Sequence, residues 1–279
     1  MNPPIRCRIL GPEIRYKAIG STNDVSRMLA LQGAPEGTTV WAEEQSDGHG
    51  RFSRRWDSSQ GGLFLSVILR PAVSPADAPQ LAIAAGVAVR DALSSFSDVA
   101  FTLKWPNDVL VLPNGRKICG ILCEASVGED DLDFVIVGIG INVNNNPRGP
   151  SGELARTATS VRQESGRETP IERVCSAVVD ALDERYCSWL EFGFPPIRKA
   201  WLSANCTIGN EISIHDDCFS GRRDFRGVAE GMDERGGLIV RDRAGFASTF
   251  DYGEVSIRSA GRSRMPISNS DQERNVCTL

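Results

Sequence analysis

FTLKWPNDVLVLPNGRKICGILCEASVGEDDLDFVIVGIGINV, residues 101–143, is the stretch on which the fold turns. Four runs within it, over 101–104, 108–112, 116–127 and 133–143, are rich in Val, Ile, Leu and Phe and read as strands. Pro113-Asn114-Gly115 marks a turn between two of them. No helical pattern separates one run from the next. They are therefore expected to pair as antiparallel hairpins, not as repeated strand–helix–strand crossovers. Upstream, TTVWAEE (38–44) and LFLSVILR (63–70) read as further strands, the second so apolar that burial on both faces is expected. Residues 81–96 read as a long buried helix with Ala-rich faces. Residues 21–31 read as another helix, with Ser21 as cap, Asp24 three positions on, Val25, Met28 and Leu29 as the apolar face, and Gly33 as the stop. Strands and helices in this order predict the α+β class.

Downstream, Ile171, Val174, Val178, Leu182 and Trp189 approximate helical spacing, and a second helix is expected from Pro195 to Ala204. After Asn205 the pattern changes to short alternating runs punctuated by Gly and Asp, the pattern of a small β-barrel. The expected organisation is an extension over 1–13, a main domain over 14–204, a small β domain over 205–260 and a disordered tail over 261–279. The Pro-, Gly- and Ser-rich residues 144–169 read as a long surface loop.

The chain has 279 residues, 41% of them hydrophobic and 24% charged, which suits a globular protein with a substantial core. Its net charge of -5 argues against nucleic acid as the main partner. Eight cysteines (Cys7, Cys119, Cys123, Cys175, Cys187, Cys206, Cys218 and Cys277) form no CxxC pair. With only two histidines, His49 and His215, a zinc site is not expected. Cys119 and Cys123 fall in an apolar run and read as core fillers. There is no export signal and no run of about 18 apolar residues, so a cytoplasmic protein with reduced thiols and no membrane span is expected.

Chemistry concentrates in GHGRFSRRW, residues 48–56. Glycines permit close backbone approach to an anion. Arg51 and Arg54 supply forked permanent cations, and Trp56 a flat face. Alone, the segment reads equally well as a solvated basic loop. It is accompanied, in order, by STN (21–23) ahead of it, and by KWPNDVLV (104–111), KICGILCE (117–124) and VGIGINVNN (137–145) behind it. Five segments in this order resemble the biotin protein ligases, over roughly residues 13–259.

That resemblance implies a class II synthetase-like mixed sheet with a C-terminal SH3-like barrel. It implies ATP-dependent formation of biotinyl-5′-AMP from biotin and ATP with Mg²⁺, then transfer of biotin to a lysine of the biotin carboxyl carrier protein domain of a carboxylase. Lys117 is then the cation that meets biotin's carboxylate and the phosphate, with Arg51 over the adenylate and Asp108 orienting Lys117 or supporting Mg²⁺. Ser21, Thr22, Asn23 and Gln45 correspond to readers of the ureido headgroup, whose carbonyl and two N–H groups hydroxyls and amides can match. Gly48, His49, Gly50, Gly120 and Gly140 are implied to lie against biotin, with Gly138 also giving close approach. Arg54, Trp56, Asn107 and Asn142 are implied to contact ATP. The commonest bacterial loop reads GRGRRGRxW, so His49, Phe52 and Ser53 depart from it, and Cys119 stands where Ala is usual.

Each residue also has a plainer reading: Ser21 as a helix cap, Asp108 and Asn107 as turn residues bonding their own backbone, Lys117 as an exposed hairpin end, and the glycines as bulge markers. Strict alternation would put Lys117 and Gly120 on opposite faces, so a bulge or local twist is expected between them. Two rivals stand beside the ligase. One is a lipoate or octanoate ligase of the same fold, whose RRxSGGG-type segment is not found. The other is a biotin-binding regulator, for whose DNA-binding domain residues 1–13 offer no room. The resemblance also allows a homodimer.

Overall fold

The computed structural model describes residues 9, 11–128, 131–149, 152–216, 223–251 and 253–257. Most of the extension expected over 1–13, and all of the tail expected over 261–279, lie outside them, as do Cys7, Cys218 and Cys277.

The chain runs β1 (Glu13–Tyr16), α1 (Thr22–Leu31), β2 (Thr39–Ala42), β3 (Leu63–Leu69), α2 (Gln80–Ser94), β4 (Phe101–Lys104), β5 (Asp108–Val111), β6 (Lys117–Val127) and β7 (Leu132–Ile141). It continues through α3 (Val161–Ser165), α4 (Ile171–Phe192) and α5 (Pro195–Ala204) to β8 (Glu211–Asp216), β9 (Arg223–Met232), β10 (Leu238–Arg241), β11 (Ala247–Phe250) and β12 (Glu254–Ile257). The first sheet has the order β1-β2-β3-β7-β6-β5-β4, and the second β11-β10-β9-β8-β12. Among the described strands, β1 and β2 alone pair in parallel. The meander expected over 101–143 is therefore found, and the class is α+β with a mixed main sheet and a small antiparallel C-terminal sheet.

Two features escaped the sequence reading. β1 has only four residues and a burial that alternates between exposed and half-buried, so no apolar run announces it. Residues 144–169 are not a featureless surface loop. They hold a 3₁₀ turn at Glu153–Arg156 and the helix α3, and Thr159, Ser160 and Val161 are buried.

Alternation along the strands separates the two faces of the main sheet. Leu63, Leu65, Val67 and Leu69 of β3 and Val135, Val137, Ile139 and Ile141 of β7 join Leu81, Ala84, Ala85 and Ala88 of α2 in the main core. Ile68, Phe134 and Ile136 point the other way and pack on Ala30 of α1. On that second face the register aligns Ser66 with Gly138, Phe64 with Gly140, Gly140 with Gly120, and Gly138 with Leu122. Where the apolar side chains give way to glycines, the face is hollow.

The C-terminal sheet is fastened to the main body by buried polar contacts. The Trp105 indole N–H donates to Gly236 O at 2.9 Å, and its backbone N–H to Thr207 Oγ1 at 2.9 Å. Arg198 Nε donates to Met232 O and Asp233 O, each at 3.0 Å. Gly236 has φ +98°, a conformation that favours glycine, and a Cβ there would meet the end of the Ile83 side chain, Cδ1, at 2.8 Å.

Candidate active site

The hollow is a cavity of about 980 Å³, and it gathers every residue assigned a site role from sequence except Gly48, which stands behind its wall. A Cβ on Gly48 would lie 2.1 Å from Ser58 Oγ.

One end of the cavity is a chain of hydrogen bonds between buried or half-buried side chains, all neutral except the half-buried Glu124 behind them, whose other oxygen lies 3.7 Å from Arg27 NH2. Ser21 caps α1, its hydroxyl oxygen accepting from Asp24 N at 3.4 Å. Gln45 Oε1 accepts from Thr22 N at 2.7 Å and from Thr22 Oγ1 at 3.1 Å. Gln45 Nε2 donates to Ser58 Oγ at 2.9 Å. The Ser66 hydroxyl lies 2.8 Å from Thr22 Oγ1 and 2.7 Å from Asn23 Oδ1. Asn23 Nδ2 donates to Glu124 Oε2 at 2.7 Å. Asn23 rests on Gly138, where a Cβ would fall 2.1 Å from its Oδ1. Sequence reasoning missed Ser58, Ser66 and Glu124. A lone serine inside the apolar run LFLSVIL was the one available signal.

The other end is charged. Lys117 Nζ stands 2.5 Å from Asp108 Oδ1, and Lys104 Nζ donates to Asp108 Oδ2 at 3.2 Å. Burial pushes the Asp108 carboxyl up, but the charges of Lys117 and Lys104 outweigh it and leave the group below the ordinary aspartate range. Asp108 thus stays ionised at neutral and mildly acidic pH. It holds two lysines and is no turn residue closing on its own backbone. The expected bulge is present: Val109 pairs with Cys119, but Leu110 pairs with Lys117. Ile118 and Cys119 both join the main core, so Lys117 emerges on the face of Gly120. A Cβ on Gly120 would lie 3.0 Å from Lys117 Nζ. Sequence reasoning missed the role of Lys104, because nothing local tells a second lysine of the pocket from a strand-end lysine.

Residues 48–56 form a small hairpin over the cavity. Trp56 N donates to Gly48 O at 2.8 Å and Gly50 N to Arg54 O at 2.7 Å, and His49 bridges to Arg55. Phe52 sits at the tip with φ 56°, a left-handed conformation unusual for a bulky residue. His49 Nδ1 lies 3.2 Å from Asp47 O. Arg51 NH1 donates to Gly253 O at 3.1 Å and makes a longer 3.5 Å contact with Asn107 Oδ1. Arg54 pairs with Glu254. Asn107 Nδ2 donates to Ile121 O at 2.6 Å, so this residue ties strands together across the wall.

Trp56 lies flat on the sheet: a Cβ on Gly140 would be 2.6 Å from its Nε1 and one on Gly120 3.0 Å from its Cζ3. The surface above these two glycines, assigned to biotin from sequence, is here covered by the indole. The Lys117 ammonium sits 5.2 Å from the ring centroid, and the indole N–H is buried without a partner. Asn142 is buried, with Oδ1 accepting from Asn145 Nδ2 at 3.0 Å. Arg156, exposed on the cavity rim, was also not singled out from sequence. Among the described residues no three His, Cys, Asp or Glu side chains gather as metal ligands.

The sequence model of the biotin/lipoate A/B protein ligase family matches residues 16–142. The chain is 36% identical over 248 residues to a bifunctional ligase/repressor BirA of Bacillus spizizenii, covering 88% of this chain and 74% of that protein. It is 35% identical over 228 residues to a biotin–[acetyl-CoA-carboxylase] ligase of Paracoccus denitrificans, covering 81% of this chain and 92% of that one. Among solved structures it resembles the biotin protein ligase from Aquifex aeolicus in complex with biotin and ATP, with a TM-score of 0.73 and 28% identity over 88% of this chain and 98% of the other. The family match begins at Tyr16 and ends at Asn142. It takes in the neutral network, the hairpin and the lysine pair, and stops short of α3.

Proposed function

The chain belongs to the biotin/lipoate A/B protein ligase family, and we infer from that premise that it is a biotin–[acetyl-CoA-carboxylase] ligase. It forms biotinyl-5′-AMP from biotin and ATP and passes biotin to a lysine of a carboxylase's biotin carrier domain. The observation that carries the assignment is the polarity gradient of the cavity. A neutral hydrogen-bonding end suits a cyclic ureido ring with one carbonyl and two N–H groups, and a cationic end suits a carboxylate meeting a phosphate.

In this reading the Ser21 O–H, free of the capping bond, donates to the ureido carbonyl. Thr22, Asn23 and Gln45 frame the ring from positions their mutual hydrogen bonds already fix. The valeryl chain runs along Gly140 and Gly120. It competes there with Trp56, whose ring shifts onto the adenine side on loading and frees its N–H from an unpaired position. Biotin's carboxylate then arrives beside Lys117. A carboxylate oxygen attacks the α-phosphorus, the bond to the β-phosphate oxygen breaks, and pyrophosphate leaves. Lys117 and Arg51 balance the charge on the phosphoryl oxygens, with Asp108 and Lys104 holding Lys117 in place. In the second half the acceptor amine attacks the anhydride carbonyl and AMP leaves.

The donor set also fits a magnesium ion that arrives on the triphosphate, not one held in a protein cage, because Asp108 is engaged by two lysines. Asn142 and Asn107 are the amides that would meet it or its waters, and the ion would supply charge neutralisation at the phosphates. His49, Gly48 and Gly50 shape the hairpin that covers the nucleotide, and Arg54 reaches the leaving pyrophosphate.

The domain division at 204–205, a cytoplasmic setting and the absence of a nucleic-acid partner belong to the same proposal. Cys119, Cys123, Cys175 and Cys206 are free, and burial pushes Cys123 and Cys175 up to about 12, which keeps them as thiols. No helix among the described residues is long and apolar enough to cross a membrane.

The test is direct. Protein, biotin, ATP and Mg²⁺ are incubated and biotinyl-AMP is sought by mass spectrometry, with lipoate and octanoate in parallel tubes. Biotinyl-AMP alone is expected; a lipoyl or octanoyl adenylate in its place overturns the assignment.

A further inference from the structure

Lys117 opens a strand just after a turn, a place where chain ends fray, yet its ammonium must be fixed to within a fraction of an ångström for the chemistry proposed above. Its backbone is held on the side away from β5 by the segment leading into α3. Lys117 N donates to Thr157 O at 2.8 Å, and Thr159 N donates to Lys117 O at 2.9 Å. That segment is itself pinned to the residues that follow β7: Val161 N donates to Asn142 O at 3.0 Å and Arg162 N to Val143 O at 2.8 Å.

One carboxylate joins all the parts. Glu164, on α3, accepts from Thr159 Oγ1 at 2.5 Å and from Asn114 Nδ2 at 3.1 and 3.2 Å, and it pairs with Arg116 NH2. Asn114 closes the β5–β6 turn, accepting Arg116 N at 2.9 Å. Arg116 immediately precedes Lys117. The Glu164 side chain is 13% exposed and Thr159 is fully buried. In this setting charge-assisted hydrogen bonds are strong, and an abandoned partner is costly.

We propose that Glu164 is a positioning residue for Lys117: it clamps the turn before Lys117 to the strand-like segment beside it and so fixes where the Lys117 ammonium meets Asp108 and the substrate. Glu164 does not itself line the cavity. The proposal rests on the ligase reading for the reaction it affects. It goes beyond that reading in assigning a role to a residue outside the matched family segment.

The experiment is a double-mutant cycle on biotinyl-AMP formation, with Glu164→Ala and Lys117→Ala singly and together, biotin affinity measured by calorimetry and folding by thermal melt. Glu164→Ala should lower the adenylation rate constant by about ten- to a hundredfold, with biotin affinity kept within about twofold because the neutral end is untouched. Glu164→Gln keeps an acceptor oxygen for Thr159 and should recover part of the loss. In the Lys117→Ala background, Glu164→Ala should cost less than about threefold further, because the group it positions is gone. An equal loss in both backgrounds, or an unchanged rate in a folded Glu164→Ala protein, overturns the proposal. If Glu164→Ala does not fold, Glu164→Gln runs the cycle instead, with a smaller loss of about three- to tenfold expected when Lys117 is present and none beyond it with Lys117→Ala; an unchanged rate, or an equal loss in both backgrounds, overturns the proposal. A wild type that makes no biotinyl-AMP counts against the ligase reading and not against the clamp, which then has to show in lower amide-exchange protection at Lys117 and Thr159.

Discussion

The neutral end of the cavity and the hairpin that covers it are both built from polar residues, but they are held in opposite ways. Ser21, Thr22, Asn23, Gln45 and Ser66 sit on a helix N-terminus and the neighbouring strands, and mostly bond to each other. Two of the hairpin's arginines reach out of the main body to the start of β12 in the other sheet: Arg51 to Gly253 O and Arg54 to Glu254. The first set is fixed in place without a ligand, with the Ser21 O–H left to donate, and offers it a finished mould. The second is satisfied by contacts that an incoming triphosphate can replace at little cost, since both kinds of partner are oxygen acceptors. The difference teaches where specificity and turnover reside: the mould selects the ring, and the exchangeable contacts let nucleotide in and pyrophosphate out.

Lys117 stands between the two regions, and its removal should break both. Lys117→Ala is expected to reduce biotinyl-AMP formation by on the order of a hundredfold or more, leaving the melting temperature nearly unchanged because Asp108 keeps Lys104. Steady-state adenylation and a thermal melt check this. Near-normal adenylation would remove Lys117 from the chemistry and reduce the comparison to a pocket beside a loop.

Next in size is a cut through the mould. Asn23→Ala strips partners from Ser66 and from Glu124 at once. It should weaken biotin binding by roughly tenfold or more, since a buried partner left unmatched costs about 1–3 kcal/mol. The adenylation rate at saturating biotin should fall much less. Calorimetry with biotin, followed by the rate at saturation, separates the two. A loss confined to the saturated rate would mean that Asn23 serves the chemistry and not the ring.

Arg51→Gly probes the cover. It removes a cation from above the proposed phosphate site and adds backbone freedom beside Gly50. Adenylate should still form, but should escape before transfer, so that biotin appears on bystander lysines several-fold more than with wild type at equal adenylate production. Streptavidin blots of a mixture containing an unrelated protein read this out. Unchanged bystander labelling would show that the hairpin is no gate.

How far these contrasts were legible in the sequence follows from the range of the interactions. The meander over 101–143 declared itself because each strand carries its own apolar run and turn residues. The mould was named through STN and Gln45, yet Ser66 and Glu124 were not, because nothing local in LFLSVIL or CEAS says which neighbour a side chain meets. The bulge at Ile118 was anticipated from a conflict: alternation separated Lys117 from Gly120, while the resembled chemistry needed them together. β1 was invisible because its order comes from pairing with β2, not from its own four residues. The Glu164 clamp was invisible because Glu164 lies 50 residues from Asn114 and 48 from Arg116 along the chain, in a stretch whose composition reads as loop.

The smallest effect sharpens the comparison most, because it concerns the exchangeable contact alone. In the Arg54–Glu254 pair Arg54 is exposed and Glu254 half-buried, with side-chain accessibilities of 59% and 30%. Pairs of this kind contribute at most about 1 kcal/mol and are screened by salt. If the pair is a placeholder for the triphosphate, Glu254→Gln leaves Arg54 without a competing anion. ATP should then bind slightly tighter, by up to about threefold at low salt, and the gain should vanish in high salt. Arg54→Gln should do the reverse and weaken ATP by a similar factor, while biotin affinity is unmoved in both. The measurement is the KM for ATP at two ionic strengths. Were Glu254→Gln to weaken ATP instead, the C-terminal sheet would be holding the hairpin in its working position, and the contact would belong with the mould and not with the exchangeable set.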